Sequence, residues 1–256
     1  MILNYCKFLI KATNQHGVHS PFVYQLVTQC IYKESAPKIK DKFKLVQQNL
    51  IQNTTVINVT DFGSGSRVFK SNVRRVGRIA KNAGIRKKYA LLLNRLVSYL
   101  KIHHALEIGT SLGLGTSALA IHNKFVKIET LEGCPETLNI ANTLFKDVGL
   151  KNQICTHQGD FKNILKKVID KKTYDLIYFD GNHKKEPTLA YFEQCLKSKH
   201  NDTVFIFDDI YWSDEMKQAW ELIKEHPEVT VTIDLFQWGM VFFRKEQKKE
   251  HFKIRF

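Results

Sequence analysis

The stretch ALEIGTSLGLGTSALA, residues 105–120, decides how the rest of the chain is read. It opens as a short apolar strand interrupted by one acid, Glu107. It then turns through Gly109, Gly113 and Gly115 and closes on a run of Ala and Leu suited to a helix. Glycines at these positions let the backbone bend sharply and come close to a ligand with no Cβ in the way. The spacing is G-x-x-x-G-x-G, whereas a dinucleotide fingerprint reads G-x-G-x-x-G and aims a helix N-terminus at a pyrophosphate. A cofactor loop is therefore expected, and a nicotinamide cofactor is not. Glycines in such a turn can also be purely structural, and the downstream sequence separates the two readings.

Working outward toward the C-terminus, strand-like and helix-like segments alternate. FVKIETLEG ends at Glu132, QICTHQGD near Asp160, YDLIYFDG at Asp180, and DTVFIFDD at Asp208 and Asp209. VTVTIDLFQWGMVFFR adds two strands joined by a tight turn. The alternation predicts a parallel sheet covered on both faces. Ligands of open α/β sheets bind outside the C-terminal ends of the strands, where these acids fall. Asp180, Asp208 and Asp209 would form a hard oxygen site for Mg²⁺ or a similar divalent cation, which would lower the pKa of a bound hydroxyl.

Upstream, residues 3–12, 21–32, 38–52, 72–83 and 88–100 carry helical periodicity. His16 and His19 sit in a turn without further metal ligands. DFGSGS (61–66) is either a loop over the active site or a structural turn. The formal charge of +14 is uneven. Residues 62–106 hold eleven Lys and Arg and no acid, and 244–256 hold six bases against two acids, so 107–243 is net negative. Basic flanks predict an anionic partner or a solvated basic face. Five scattered cysteines with no C-x-x-C pair suit a reducing compartment. Lys7 and Lys11 interrupt the apolar N-terminus and no run is long enough to span a bilayer, so a cytoplasmic location is expected. Residues 1–100 are expected to form a mainly helical, basic region making the acceptor pocket and lid, and 101–256 the cofactor-binding domain.

Across about residues 70–245, LEIGTSLGLGT, TLEGCPE, GDF, IYFDGNH and FIFDD, in that order, resemble the class I S-adenosylmethionine-dependent methyltransferases. Within them the chain is similar to the metal-assisted catechol and caffeoyl-CoA O-methyltransferases. The resemblance implies an α/β, Rossmann-like, mostly parallel seven-stranded sheet with a reversed final hairpin, preceded by an N-terminal helical extension. It places S-adenosylmethionine over the first three strand ends. Glu107, Gly109 and Ser111 would meet its methionine part, Glu132 the ribose hydroxyls, and Gly113 would also belong to the cofactor site. Gly159, Asp160 and Phe161 would surround the adenine, with Asp180 at the edge of the cofactor site as well as in the metal set. His183 stands where the catechol enzyme has a catalytic Lys, and is implied as the general base; Lys184 or Lys185 would replace it if the alignment slips. Asp209 stands where relatives have Asn.

The resulting expectation is O-methylation, with metal assistance, of a small acceptor that is anionic (phosphate or carboxylate) or polyhydroxylated. An RNA methyltransferase and a non-catalytic S-adenosylmethionine-binding protein are the alternatives, although no N-P-P-Y-like motif follows the fourth strand. A homodimer is among the expectations. Tyr211, Trp212 and Trp238 are candidates for the pocket wall or for packing.

Overall fold

A computed structural model describes residues 2–60, 62, 63, 65 and 69–256. Met1, Asp61, Ser64, Ser66, Arg67 and Val68 lie outside the described residues, and with them three of the six residues of the DFGSGS turn and the first base of the 67–101 run. The chain forms two compact units. One combines Met1–Lys33 with Val168–Phe256, and the other is Glu34–Lys167. The boundary expected near residue 100 coincides with neither limit.

The chain starts with α1 (Ile2–Lys11) and α2 (Pro21–Leu26), the latter running into a π-turn at Val27–Ile31. Pro21 stands at the first helical position, where its missing N–H costs nothing, and Ser20 caps the helix by accepting from Val23 N. His16 lies in the intervening 3₁₀ turn, its backbone N–H bonded to Asn14 Oδ1.

The central unit begins with α3 (Pro37–Gln52). A short antiparallel pair follows, β1 (Val56–Asn58) with β2 (Val73–Arg75), and then α4 (Val76–Asn82) and α5 (Lys87–Tyr99). Here the expected helix over 72–83 is corrected. Its first residues pair as a strand, Val56 opposite Arg75 and Asn58 opposite Val73, and the helix starts only at the fully buried Val76. Three parallel strands make the sheet of this unit: β3 (His104–Ile108), β4 (Lys127–Glu132) and β5 (Ile154–Gln158), with β4 in the middle. The helices α6 (Leu114–Ala120) and α7 (Pro135–Asp147) connect them. Helix α8 (Phe161–Ile169) carries the chain out of the unit.

The second unit resumes with β6 (Leu176–Phe179), α9 (Lys185–Cys195), β7 (Val204–Phe207), α10 (Asp214–Glu225), β8 (Val231–Asp234) and β9 (Gly239–Phe242). Strands β6 and β7 are parallel, and β9 runs antiparallel to both β7 and β8, which gives the expected reversed hairpin. Every residue of these four strands is buried, as in sheets covered on both faces. At about 1.5–3 kcal/mol per buried large apolar side chain, they dominate the stability of this unit. An eighth strand in the two main-sheet groups was not expected: β10 (Glu250–Lys253) lies parallel to β8. Its neighbours Thr13 and Ile254 form a bridge that ties the N-terminal segment to the C-terminus. Among the described residues, no helix is long and apolar enough to cross a membrane.

Candidate functional site

In the central unit, β3 delivers Glu107 into the core, where it is 1% exposed. One carboxylate oxygen, Oε2, accepts from the hydroxyls of Thr116 and Thr130. The other, Oε1, is buried without a partner. Burial raises its pKa to about 7, against the opposing pull of the two hydroxyl bonds, and the charge of Glu132 adds to the rise. A buried, unpaired carboxylate oxygen costs about 1–3 kcal/mol or more, so this one is built to receive a donor.

The turn after β3 is pinned to β4 by the N–H groups of Gly109 and Thr110, both bonded to Leu131 O. Ser111 is left-handed at φ 49° and Gly113 at φ 83°. A Cβ on Gly113 would stand 2.6 Å from Phe145 Cε1, so both backbone and packing require glycine there. At the end of β4, Glu132 already holds two backbone donors: Ser111 N at 2.7 Å on Oε2 and Cys134 N at 2.9 Å on Oε1. Desolvation raises its pKa, while those bonds oppose the rise. The Gly133 N–H and the Thr137 hydroxyl also bear on this carboxylate; an acceptor-only group with about four lone-pair sites, it suits the two adjacent donors of a ribose diol. The exposed Phe62 ring lies over Gly133, 2.6 Å from where a Cβ would be. The one placed aromatic of the DFGSGS turn thus covers the strand end beside Glu132. Gly159 N bonds to Glu132 O, and Asp160 Oδ1 accepts from Lys162 N at 3.0 Å, capping α8, with Phe161 partly exposed next to it. The structure therefore brings Glu107, Gly109, Ser111, Gly113, Glu132, Gly159, Asp160 and Phe161 together around the ends of β3, β4 and β5.

In the other unit, Asp180 follows β6 and Asp208 follows β7, directly across from each other if the strand register is extended by one residue. Asp208 is 6% exposed. The hydroxyl of Tyr178 lies 3.2 Å from Asp180 Oδ2 and 3.1 Å from Asp208 Oδ2. Asp208 Oδ1 accepts from Asp209 N at 2.8 Å and from Gln237 Nε2 at 3.3 Å. His183 Nε2 is 3.6 Å from Asp180 Oδ1, and burial lowers the imidazole pKa against the opposing charge of Asp208. Asn182 (φ 72°), His183 (φ 44°) and Asp209 (φ 53°) are all left-handed, a strain that persists only where the surroundings impose it. Asn182 Oδ1 and Gln237 Oε1 are buried acceptors without partners.

The expected metal set is corrected here. Among the described residues, no three His, Cys, Asp or Glu side chains assemble as ligands. Both oxygens of Asp208 are committed to neutral donors, and Asp209 contributes its backbone N–H to that arrangement. The residues present do not fit a divalent cation, and no step below passes through one. Trp238 is fully buried against Tyr178 and is packing, whereas Tyr211 and Trp212 are partly exposed. Tyr178, Gln237, Thr116 and Thr130 were missed from the sequence. Only Tyr178 carried a signal, because in YFD it shares a strand face with Asp180 two residues on.

The parallel strands, the glycine turn after β3 and the acids at the strand ends have the arrangement of the class I methyltransferase fold, whose members take their methyl group from S-adenosylmethionine. Residues 106–210 match a family model described as a methyltransferase domain. None of the curated proteins matches the chain significantly. Among solved structures, the SAH-bound methyltransferase PaMTH1 of Podospora anserina is 13% identical, over 89% of this chain and 97% of that one, with a TM-score of 0.61. The O-methyltransferase TomG of Streptomyces achromogenes, involved in tomaymycin synthesis and solved in complex with SAM, is 16% identical over 91% and 99%, with a TM-score of 0.58. An O-methyltransferase of Bacillus cereus in complex with SAH is 17% identical over 86% and 96%, with a TM-score of 0.53. At these identities the likeness is one of fold.

Proposed function

We propose that the chain is an S-adenosylmethionine-dependent O-methyltransferase acting on a small acceptor rich in hydroxyl groups, with His183 as general base. The observation that carries this reading is His183 itself: an imidazole held neutral by burial, on a strained turn at a strand end, 3.6 Å from Asp180. When bound, S-adenosylmethionine supplies an electrophilic methyl group on a sulfonium. Glu107 would receive the methionine ammonium on its unpaired Oε1, Glu132 the ribose hydroxyls, and Asp160 the adenine amino group. Transfer needs the acceptor oxygen held in line and stripped of its proton. Neutral His183 takes that proton, and Asp180 stabilises the imidazolium that forms. The divalent cation expected on Asp180, Asp208 and Asp209 has no part in this reading, because the Tyr178 hydroxyl lies between Asp180 and Asp208 and no three-ligand group forms among the described residues.

The buried oxygens Asn182 Oδ1 and Gln237 Oε1 favour an acceptor that brings several O–H donors, since leaving each unpaired costs about 1–3 kcal/mol. The test is to incubate the protein with S-adenosylmethionine and a panel of polyols, sugars and phenols, with and without phosphate or carboxylate groups. S-adenosylhomocysteine and methylated products are followed by mass spectrometry, with small RNAs as a separate arm. An O-methylated polyol or sugar supports the reading. Transfer confined to nitrogen or to RNA contradicts it.

A further inference from the structure

We propose that Tyr178 takes the place of a divalent cation between Asp180 and Asp208, ordering the acidic strand ends through one phenolic hydroxyl. The statement about the cation stands apart from the transfer reaction; its catalytic consequence, a methyl transfer indifferent to chelators, rests on the O-methyl reading above.

The argument begins with strand parity. Tyr178 and Asp180 lie two residues apart and so share one face of β6. Register places Tyr178 opposite Ile206, which brings Asp208 to the same level as Asp180 one step beyond the paired residues. The phenol hydroxyl consequently stands between the two carboxylates, 3.2 Å from one and 3.1 Å from the other. It carries one proton and can share it between them, at distances longer than the usual roughly 2.5–3.0 Å of an O–H donor bonded to one acceptor. A cation bridging these carboxylates would need the same position. Mg²⁺ requires near-octahedral oxygen ligands at about 2.0–2.1 Å.

The hydroxyl has no room to give way. Tyr178 is fully buried, and its ring is braced by Trp238 with centroids 5.5 Å apart. Asp209 N and Gln237 Nε2 both donate to Asp208 Oδ1, so the carboxylate is held with Oδ2 turned to the Tyr178 hydroxyl. Two clustered carboxylates usually call for a counterion, and here a neutral donor fixes their spacing. Tyr178 is thus a positioning residue: it touches Asp180, and Asp180 in turn faces His183.

Titration with Mn²⁺, followed by electron paramagnetic resonance and calorimetry, tests this on the wild-type protein, on Tyr178→Phe and on Tyr178→Phe combined with Asp208→Asn. The wild type is expected to show no saturable Mn²⁺ site. Tyr178→Phe, which removes only the hydroxyl, is expected to gain one, and the added Asp208→Asn to lose it again. One equivalent of Mn²⁺ on the wild type that disappears in Asp208→Asn would overturn the proposal, and this arm holds even if Tyr178→Phe does not fold. A folded Tyr178→Phe that gains no site would overturn it as well. Because the readout is metal binding, failure of the O-methyl reading would appear separately, as absence of transfer.

Discussion

Glu107 is a carboxyl group whose environment favours the uncharged form while its partners favour the charge. With a folded pKa of about 7 against an ordinary value of 4.5, the folded protein binds its proton more tightly than the unfolded chain does. The stability it contributes is full below pH about 4.5 and is lost as the pH rises through about 7. A ligand ammonium on Oε1 reverses this preference and ionises the carboxyl. Binding of S-adenosylmethionine at pH 6 is therefore expected to release a proton, measurable by calorimetry in buffers of different ionisation heat. Glu107→Gln should abolish the release and weaken binding by about ten- to a hundredfold, as expected for a hydrogen bond to a charged group worth about 1.5–3 kcal/mol. For His183 the sign is opposite. Its lowered pKa leaves the base neutral at pH 7, so the acid limb of the kcat profile should lie below the ordinary histidine value of 6.5. Replacing His183 with Gln should lower kcat by about 10²–10⁴ and leave cofactor affinity unchanged.

At the scale of elements, the turn from β3 into α6 is the part that tolerates least. Gly113→Ala places a Cβ against the Phe145 ring at a left-handed position, and should cost about 1–3 kcal/mol, read as a lower urea midpoint, together with loss of saturable cofactor binding. This turn was legible because glycine spacing is a backbone signal. The strands were legible too, since continuous apolar runs ending in an acid leave little ambiguity. The start of α4 was not: Val73, Val76, Ile79 and Ala80 keep helical spacing, and nothing local reveals that Val56–Asn58 competes for 73–75. The acid cluster was harder to read for a related reason. Three carboxylates at strand ends look the same in sequence whether a cation or a tyrosine hydroxyl lies between them, and the difference is set by a tertiary contact from one residue of β6. The partly described turn at 61–66 was left between two readings, and Phe62 over Gly133 favours the one that covers the site.

At the scale of the whole chain, one compact unit is assembled from both termini, which sequence order conceals. The C-terminal strand EHFK has no apolar alternation and is half-exposed, so it gave no strand signal. Its role is to hold the N-terminal helix: Thr13 N bonds to Lys253 O, Arg255 N to Thr13 O, and the Arg255 guanidinium donates to Ala12 O and Leu9 O. Arg255→Ala should cost about 1–2 kcal/mol, given that these bonds are largely solvated, and should speed hydrogen exchange in Ile2–Lys11 more than in β6 or β7. The basic flanks have no assigned ligand. The central claim is that the glycine turn and the acids around it hold S-adenosylmethionine. Calorimetric titration of S-adenosylmethionine into the wild-type protein and into Glu132→Ala tests that claim most directly. One-to-one saturable binding by the wild type, lost or severely weakened in the folded variant, is the predicted result. Absence of binding by the wild type, or undiminished binding by Glu132→Ala, would contradict it.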